Sequence, residues 1–413
     1  MGARGAFDKP DPPLFRGRCK PLKITLVTTG RADYGLLSPL IQAIRGEARL
    51  TLEIVATGGH LVEAQGGTIR FIQADGHAVT SIPMTPEVDS EDGICRAVAA
   101  GLSGFSSHFA RLRPDLVLVL GDRFELWAVC MAAVLHKIPI AHLHGGETTL
   151  GAIDDTIRHT VTKMATWHFP ALPEYARVIL AMGEHPERVH VVGALGIDAI
   201  VNTPPLEPAE LTALTGIDFA VNPVALLTYH PVTLDDHAEA ARQTATILEA
   251  LTGTDLTTLI TMPNLDAGGA AIRSTLERHC LTHPERFRLV KSLGQRGYLT
   301  AMRHAALMIG NSSSGILEAA SFRLPVINIG DRQAGRIRAG HVLDCPCEAG
   351  AIRQALGTAR SAAFRASLAT LVNPYGDGCT APRIVRILAG LDLSARADLL
   401  KKGFHAFSGA LPR

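Results

Sequence analysis

Titratable groups are dense in the stretch His142–Lys163, HLHGGETTLGAIDDTIRHTVTK. Here the apolar run IPIAHL ends on His142 and His144, and a Gly-Gly turn leads to Glu147, Asp154, Asp155, Arg158 and His159. Such groups behind a buried strand are costly unless paired or used, which makes the stretch a candidate reaction centre. Asp122, Glu147, Asp154, Asp155 and His230 are residue types that transfer protons, and abstraction of a carbon-bound proton requires close placement and a tuned pKa. His142, His144 and His159 could serve in the same way or sit as satisfied core groups. His144 stands out because it immediately precedes the Gly-Gly turn.

A second cluster has the chemistry of anion binding. GNSSSG, Gly310 to Gly315, leaves an apolar strand and opens a helix, so backbone N–H groups and the hydroxyls of Ser312, Ser313 and Ser314 can hold phosphate without a lysine. The alternative reading is a serine N-cap. Glu318, one turn on, could accept from a ribose diol or simply favour the helix dipole. Arg31, Arg123, Arg332 and Arg336 are candidate partners for a diphosphate, since guanidinium meets phosphate in a bidentate fork. Asp33 lies beside Arg31 at the end of the first strand, and DRQAGR, with Arg332 and Arg336, directly follows the run PVINIG. A diphosphate leaving group needs its developing charge met by arginines, a protonated histidine or helix N–H groups. Neither a dinucleotide fingerprint nor a Walker loop follows the first strand. Cys345-Pro-Cys347 lacks a second pair nearby to complete the roughly four ligands zinc takes. Scattered Asp and His could still converge on a divalent cation.

These groups need a scaffold. Short unbroken apolar runs (KITLVTTG, LEIVATGG, LVLVLGD, IPIAHL, then ALLTYH, TTLITMPN, FRLVKS and PVINIG) alternate with helical patterns, including ILEAASFR after the serines. RVHVVGALGID is expected to close the first unit near Asp198. The alternation indicates parallel α/β sheets in two serial units, joined by a proline-containing hinge over 201–222. In open sheets of this kind ligands gather at strand carboxyl ends, where the clusters above fall. At 413 residues two domains are expected. A net charge of +1 and 5% aromatics leave no basic field or stacking platform for nucleic acid. No apolar run reaches the roughly 20 residues of a bilayer span, and the N-terminus lacks a secretory signal pattern. Seven scattered cysteines, an odd number, argue for free thiols in a reducing, cytoplasmic compartment.

The motif set as a whole resembles the hydrolysing UDP-N-acetylglucosamine 2-epimerases of bacterial sialic and legionaminic acid biosynthesis. The motifs that carry the resemblance are TGRADYGLL, VLGDRFE, the His142–Lys163 stretch, TYHPVT, MPNLDAGG, IGNSSSGILEA, INIGDRQAGR and NPYGDG, in the same order and spanning about residues 22 to 400. The resemblance implies a GT-B fold, two Rossmann-like domains facing across a cleft. The expected division is a leader over 1–21, a sugar and catalytic domain over 22–200 with 382–405 crossing back, and a nucleotide-binding domain over 201–381. It implies conversion of UDP-N-acetylglucosamine and water to N-acetylmannosamine and UDP, by C2 proton removal, anti elimination of UDP and hydration of a 2-acetamidoglucal. No nicotinamide cofactor is implied, and the partners expected are the nucleotide sugar and one or three further copies of the chain.

Residue by residue, the resemblance places Asp122 in the reaction centre, with Arg123 beside it facing sugar or phosphate. Asp155 matches a second acid/base, and His230 matches a group that assists departure of the nucleotide. Arg31, Ser313, Ser314 and Glu318 match nucleotide-holding positions, with Glu318 on the ribose, and Asn264 and Asp266 lie near the sugar. Non-hydrolysing relatives carry Glu where this chain has His144, which leaves the C2 base open. UDP-N,N'-diacetylbacillosamine and GDP-linked amino sugars are alternative substrates. A GT-B glycosyltransferase and a silent nucleotide-sugar sensor are alternative functions.

Overall fold

The computed structural model describes residues 20–63, 67–84, 90–149, 153–232, 237–263, 269–407 and 409. Two all-parallel, six-stranded sheets make up its core. The first contains β1 (Leu22–Thr28), β2 (Leu50–Ala56), β3 (Val79–Ser81), β4 (Leu116–Leu120), β5 (Ile140–Leu143) and β6 (Trp167–Phe169), in the order β3-β2-β1-β4-β5-β6. The second contains β7 (Val224–Thr228), β8 (Thr257–Thr261), β9 (Phe287–Val290), β10 (Leu307–Gly310), β11 (Val326–Ile329) and β12 (Val342–Cys345), in the order β12-β11-β10-β7-β8-β9. Each is the same doubly wound order, with helices on both faces. Central strands such as LVLVL are buried along their whole length because both faces are covered, so they carry no polar alternation.

Strand order reverses between β1 and β4 and again between β7 and β10. Those switch points open crevices at the strand carboxyl ends. The segments that leave there are Gly30–Arg31, Gly121–Asp122, Tyr229–His230 and Gly310–Ser314, so the topology brings four of the polar clusters to one place.

Edge strands β3 and β12 were not expected from the sequence. They are three and four residues long and largely half-exposed, too short and too polar for an apolar run to stand out. RVHVV forms no strand beyond one bridge between His168 and Val189. ILEAASFR is not one helix: the turn that begins at Ser313 ends at Leu317, and a 3-10 turn covers Ala319–Phe322.

Near the C-terminus the chain returns to the first sheet. Helix Thr380–Gly390 buries Ala381, Ile384, Val385 and Leu388 against the core beneath β1. Its first N–H groups, from Thr380 and Ala381, donate to the buried Asp198 carboxylate at 2.9 and 2.6 Å. No helix among the described residues is long and apolar enough to cross a membrane.

Candidate active site

Two polar layers meet at the switch points. The outer one is a cavity of about 220 Å³ lined by Arg31, His144, His230, Ser312, Ser313, Ser314 and Glu318, with Tyr298, Gln295 and Gly196 between them. Gly310, the last residue of β10, has φ of 135°, where only glycine is comfortable, and this swings the serine turn over β7. Ser312 caps the short helix, accepting from the Ser314 N–H at 3.4 Å. The Ser314 hydroxyl also meets Tyr298 Oη at 2.6 Å and Ser312 Oγ at 3.0 Å. The turn is thus capped by Ser312 and also presents serine hydroxyls to the cavity.

His230 is set by Asn311. The two exchange backbone and amide hydrogen bonds of 2.7 and 2.8 Å. Burial pushes the imidazole well below its ordinary value, and the guanidiniums of Arg332, Arg123 and Arg31 push it further. Glu318 lies half-buried across the cavity, and desolvation raises it to about 7, opposed by His144. A Cβ on Gly196 would lie 2.8 Å from the Glu318 carboxylate, so a larger residue at this point of the helix Leu195–Asn202 would displace the carboxylate from its present place. Across the cleft, Arg31 donates to the Lys291 carbonyl at 3.1 Å, and Gln295 donates to that of Gly35.

The inner layer is built on Arg158, which is fully buried in helix Asp154–Met164. Its guanidinium donates to the carboxylates of Asp122 and Asp155, to the Glu147 carbonyl at 2.8 Å and to Thr149 Oγ1 at 3.0 Å. Asp155 also accepts from the Thr149 N–H at 2.7 Å. Burial alone would raise Asp122, but Arg158, Arg336 and Arg332 outweigh it and hold the group below its ordinary value. Glu147 accepts from Arg336 at 2.6 Å and sits 2.7 Å from His144 Nδ1. Burial opposes its ionisation, yet Arg336, His144 and Arg158 bring it down to about 2.

His144 joins the layers. Its φ is 62°, an uncommon backbone state for a residue with a Cβ. Nδ1 is engaged with Glu147, whereas the buried Nε2 has no partner among the described residues. Buried and unpartnered Nε atoms also remain on Arg332 and Arg336.

The other expected residues fall as follows. Arg332 donates to the Asn311 carbonyl at 3.3 Å. Arg123 pairs with the buried Glu125 at 3.3 Å. Asp33 turns back onto Thr29, accepting from its N–H at 3.1 Å and from its hydroxyl. Asn264 and Asp266 lie outside the described residues. His142 is a core histidine, bonded to the Gly121 carbonyl at 2.8 Å and to Thr162 at 3.3 Å, and burial lowers it to about 3. Among the described residues no cluster of His, Cys, Asp and Glu could hold a metal ion. Arg158, Tyr298 and Gln295 were not anticipated. Arg158 stood in view between two acidic residues and His159, but the other two sit in a helix, Gly294–His304, without any motif.

Residues 42–389 match the family model described as UDP-N-acetylglucosamine 2-epimerase. The chain belongs to that family. Among its relatives, the GDP/UDP-N,N'-diacetylbacillosamine 2-epimerase (hydrolyzing) of Campylobacter jejuni is 37% identical over 323 residues, 78% of this chain and 84% of the relative. The UDP-N,N'-diacetylbacillosamine 2-epimerase (hydrolyzing) of Legionella pneumophila is 34% identical over 91% of this chain and 97% of its own. The crystal structure of the Neisseria meningitidis UDP-GlcNAc 2-epimerase bound to UDP-GlcNAc superposes with a TM-score of 0.74 at 20% identity, covering 89% of this chain and 99% of that one. The epimerase fold here is accordingly GT-B, and this family member is an enzyme of the hydrolysing nucleotide-sugar 2-epimerase type.

Proposed function

We propose that the outer cavity holds the nucleoside diphosphate of an amino sugar and that the inner layer works on the sugar's C1 and C2. Within this reading, residues 22–200 with 382–405 carry the sugar chemistry and residues 201–381 hold the nucleotide. The observation that carries the reading is the His144–Glu147 pair. A carboxylate held ionised near 2 accepts the Nδ1 proton, and this leaves Nε2 as the bare lone pair. That unpartnered nitrogen belongs to a residue lining the cavity, as a base for a carbon-bound proton requires.

The C2–H bond breaks as its proton passes to His144 Nε2. The C–H electrons form the C1=C2 double bond, and the anomeric C1–O bond breaks with its pair leaving on the diphosphate. Arg31, Arg332, His230 and the serine turn meet that charge. His230 is kept neutral partly by the arginines around it. A bound diphosphate reverses the local sign and favours the imidazolium that can donate to the leaving oxygen. Asp122, held ionised, and Asp155 align the sugar through Arg158. Arg123, Asn264 and Asp266 are placed with the sugar, Asp33 supports the Arg31 turn, and Glu318 accepts from the ribose diol. Water then adds its hydroxyl to C1 and its proton to C2 with inversion.

The primary substrate in this reading is UDP-N-acetylglucosamine, giving N-acetylmannosamine and UDP in a sialic or legionaminic acid route. A diacetamido sugar, UDP-N,N'-diacetylbacillosamine or a GDP-linked counterpart, is the second reading, favoured by the names of the relatives at 37% and 34% identity. A cytoplasmic location, in keeping with free cysteines at six described positions, and assembly as a homodimer or homotetramer complete the reading. The test is a panel of UDP- and GDP-linked amino sugars incubated in deuterated water and followed by NMR. Nucleoside diphosphate release with deuterium at C2 is expected. Release with C2 hydrogen retained would refute the elimination.

A further inference from the structure

Glu147 is held by Arg336, yet Arg336 rides on the loop between β11 and β12, in the other half of the molecule. Nothing in the inner layer explains why that loop stays in register with the Glu147 turn. The residue after Arg336 does. Both backbone groups of Ile337 are taken by tyrosine hydroxyls: its N–H donates to Tyr175 Oη at 3.1 Å, and its carbonyl accepts from Tyr375 Oη at 2.8 Å. The two hydroxyls are 2.7 Å apart. Since Tyr375 spends its only proton on Ile337, Tyr175 must donate to Tyr375, and the three groups close into one directional ring. Both side chains are buried, at 2% and 0% exposure. Burial raises both phenols, so each keeps the proton the ring needs.

The two tyrosines come from different places. Tyr175 lies in helix Pro173–Ala181 beside β6, and its carbonyl packs so closely on Gly146 that a Cβ there would collide with it. Tyr375 lies in NPYGDG, the segment that crosses back to the first sheet, and its carbonyl accepts from the Ala194 N–H at 2.7 Å. Asn373 of the same segment donates to the Leu317 carbonyl at 2.7 Å. The ring therefore ties the Gly146–Glu147 turn, the crossing segment and the Arg336 loop at one point.

We propose that Tyr175 and Tyr375 are positioning residues for the reaction: they clamp the Ile337 peptide so that Arg336 meets Glu147, and through Glu147 they orient His144. The inference rests on the assignment of His144 and Glu147 above. Among the described residues, the charged and titratable groups facing Glu147 are Arg336, His144, Arg158 and the two ring tyrosines, Tyr175 and Tyr375, and of the cationic ones Arg336 is the one the ring sets.

The test compares Tyr375→Phe and Tyr175→Phe with Glu147→Gln, reading kcat against pH at saturating sugar nucleotide together with the Kd for UDP. Each phenylalanine variant should lose about tenfold in kcat while UDP affinity stays within about twofold, because the nucleotide cavity is not part of the ring. The acid limb of the profile should move to higher pH, since a displaced Arg336 no longer holds Glu147 down. If Tyr375→Phe keeps both kcat and the acid limb while Glu147→Gln is inactive, the clamp is wrong and the site assignment survives. Losses in kcat, UDP affinity and thermal stability in the same proportion mark a merely structural role and overturn the clamp as well. An active Glu147→Gln removes the site assignment and the clamp with it.

Discussion

At the scale of single residues, the site works by giving chemically similar groups different environments. Asp122 and Glu147 lie among guanidiniums and stay ionised, whereas burial pushes Glu318 up to about 7 against the opposing influence of His144. Asp122→Asn keeps the shape and removes the charge that faces Arg158. It should lower kcat by at least about a hundredfold, measured by UDP release, with UDP affinity little changed. Glu318 predicts a pH effect on binding. As pH falls through its raised pKa the carboxylate gains a proton and can no longer accept from both ribose hydroxyls. UDP affinity should therefore weaken from pH 8 to pH 6, and titration calorimetry should find this slope flattened in Glu318→Gln.

Elements determine whether those residues can meet at all. Four of the clusters lie on turns that leave strands at a switch point, so their placement depends on how β1, β4, β7 and β10 end, while the His144 and Arg336 segments follow the adjoining strands β5 and β11. Gly310 is the sharpest case: a Cβ there would run into the Thr228 carbonyl oxygen, in a backbone state other residues avoid. Gly310→Ala should cost about 3 kcal/mol or more in urea unfolding, from steric strain at the special φ. It should also weaken UDP binding by displacing the serines, whereas Gly253→Ala, where a Cβ meets open space, should do neither.

For the whole molecule, the chain end serves as a strap. Lys402 donates to Glu184, which also accepts from Lys163 at 2.6 Å and lies 3.1 Å from His168. Burial would raise Glu184, but these partners overcome it and hold the group near 2, below its ordinary 4.5. A depressed folded-state pKa means the stabilisation is complete above about pH 4.5 and fades as pH falls toward 2. Lys402→Met should cost about 1–2 kcal/mol in urea at pH 7, with the difference from the parent shrinking below pH 4. Turnover at pH 7 should be retained, since Glu184 lies outside both polar layers.

The alternation of apolar runs and helical patterns was enough to indicate paired parallel α/β units, because a strand covered on both faces must be apolar throughout. The motif order pointed to the epimerase family, and single positions such as Asp122, His144 and Ser314 were visible because polar groups stood directly after buried strands. Edge strands β3 and β12 were not visible, since half-exposed segments of three or four residues carry no period. Only the tertiary structure decided which titratable groups face the cavity and which are satisfied in the core. His142 and His144 are two residues apart, a spacing that strand alternation alone would put on one face, yet His142 is bonded in the core and the positive φ of His144 turns it to the cavity. Arg158 became the hub of the inner layer, and Tyr175 met Tyr375 across 200 positions, because hydrogen bonds and ion pairs depend on distances that sequence spacing does not encode.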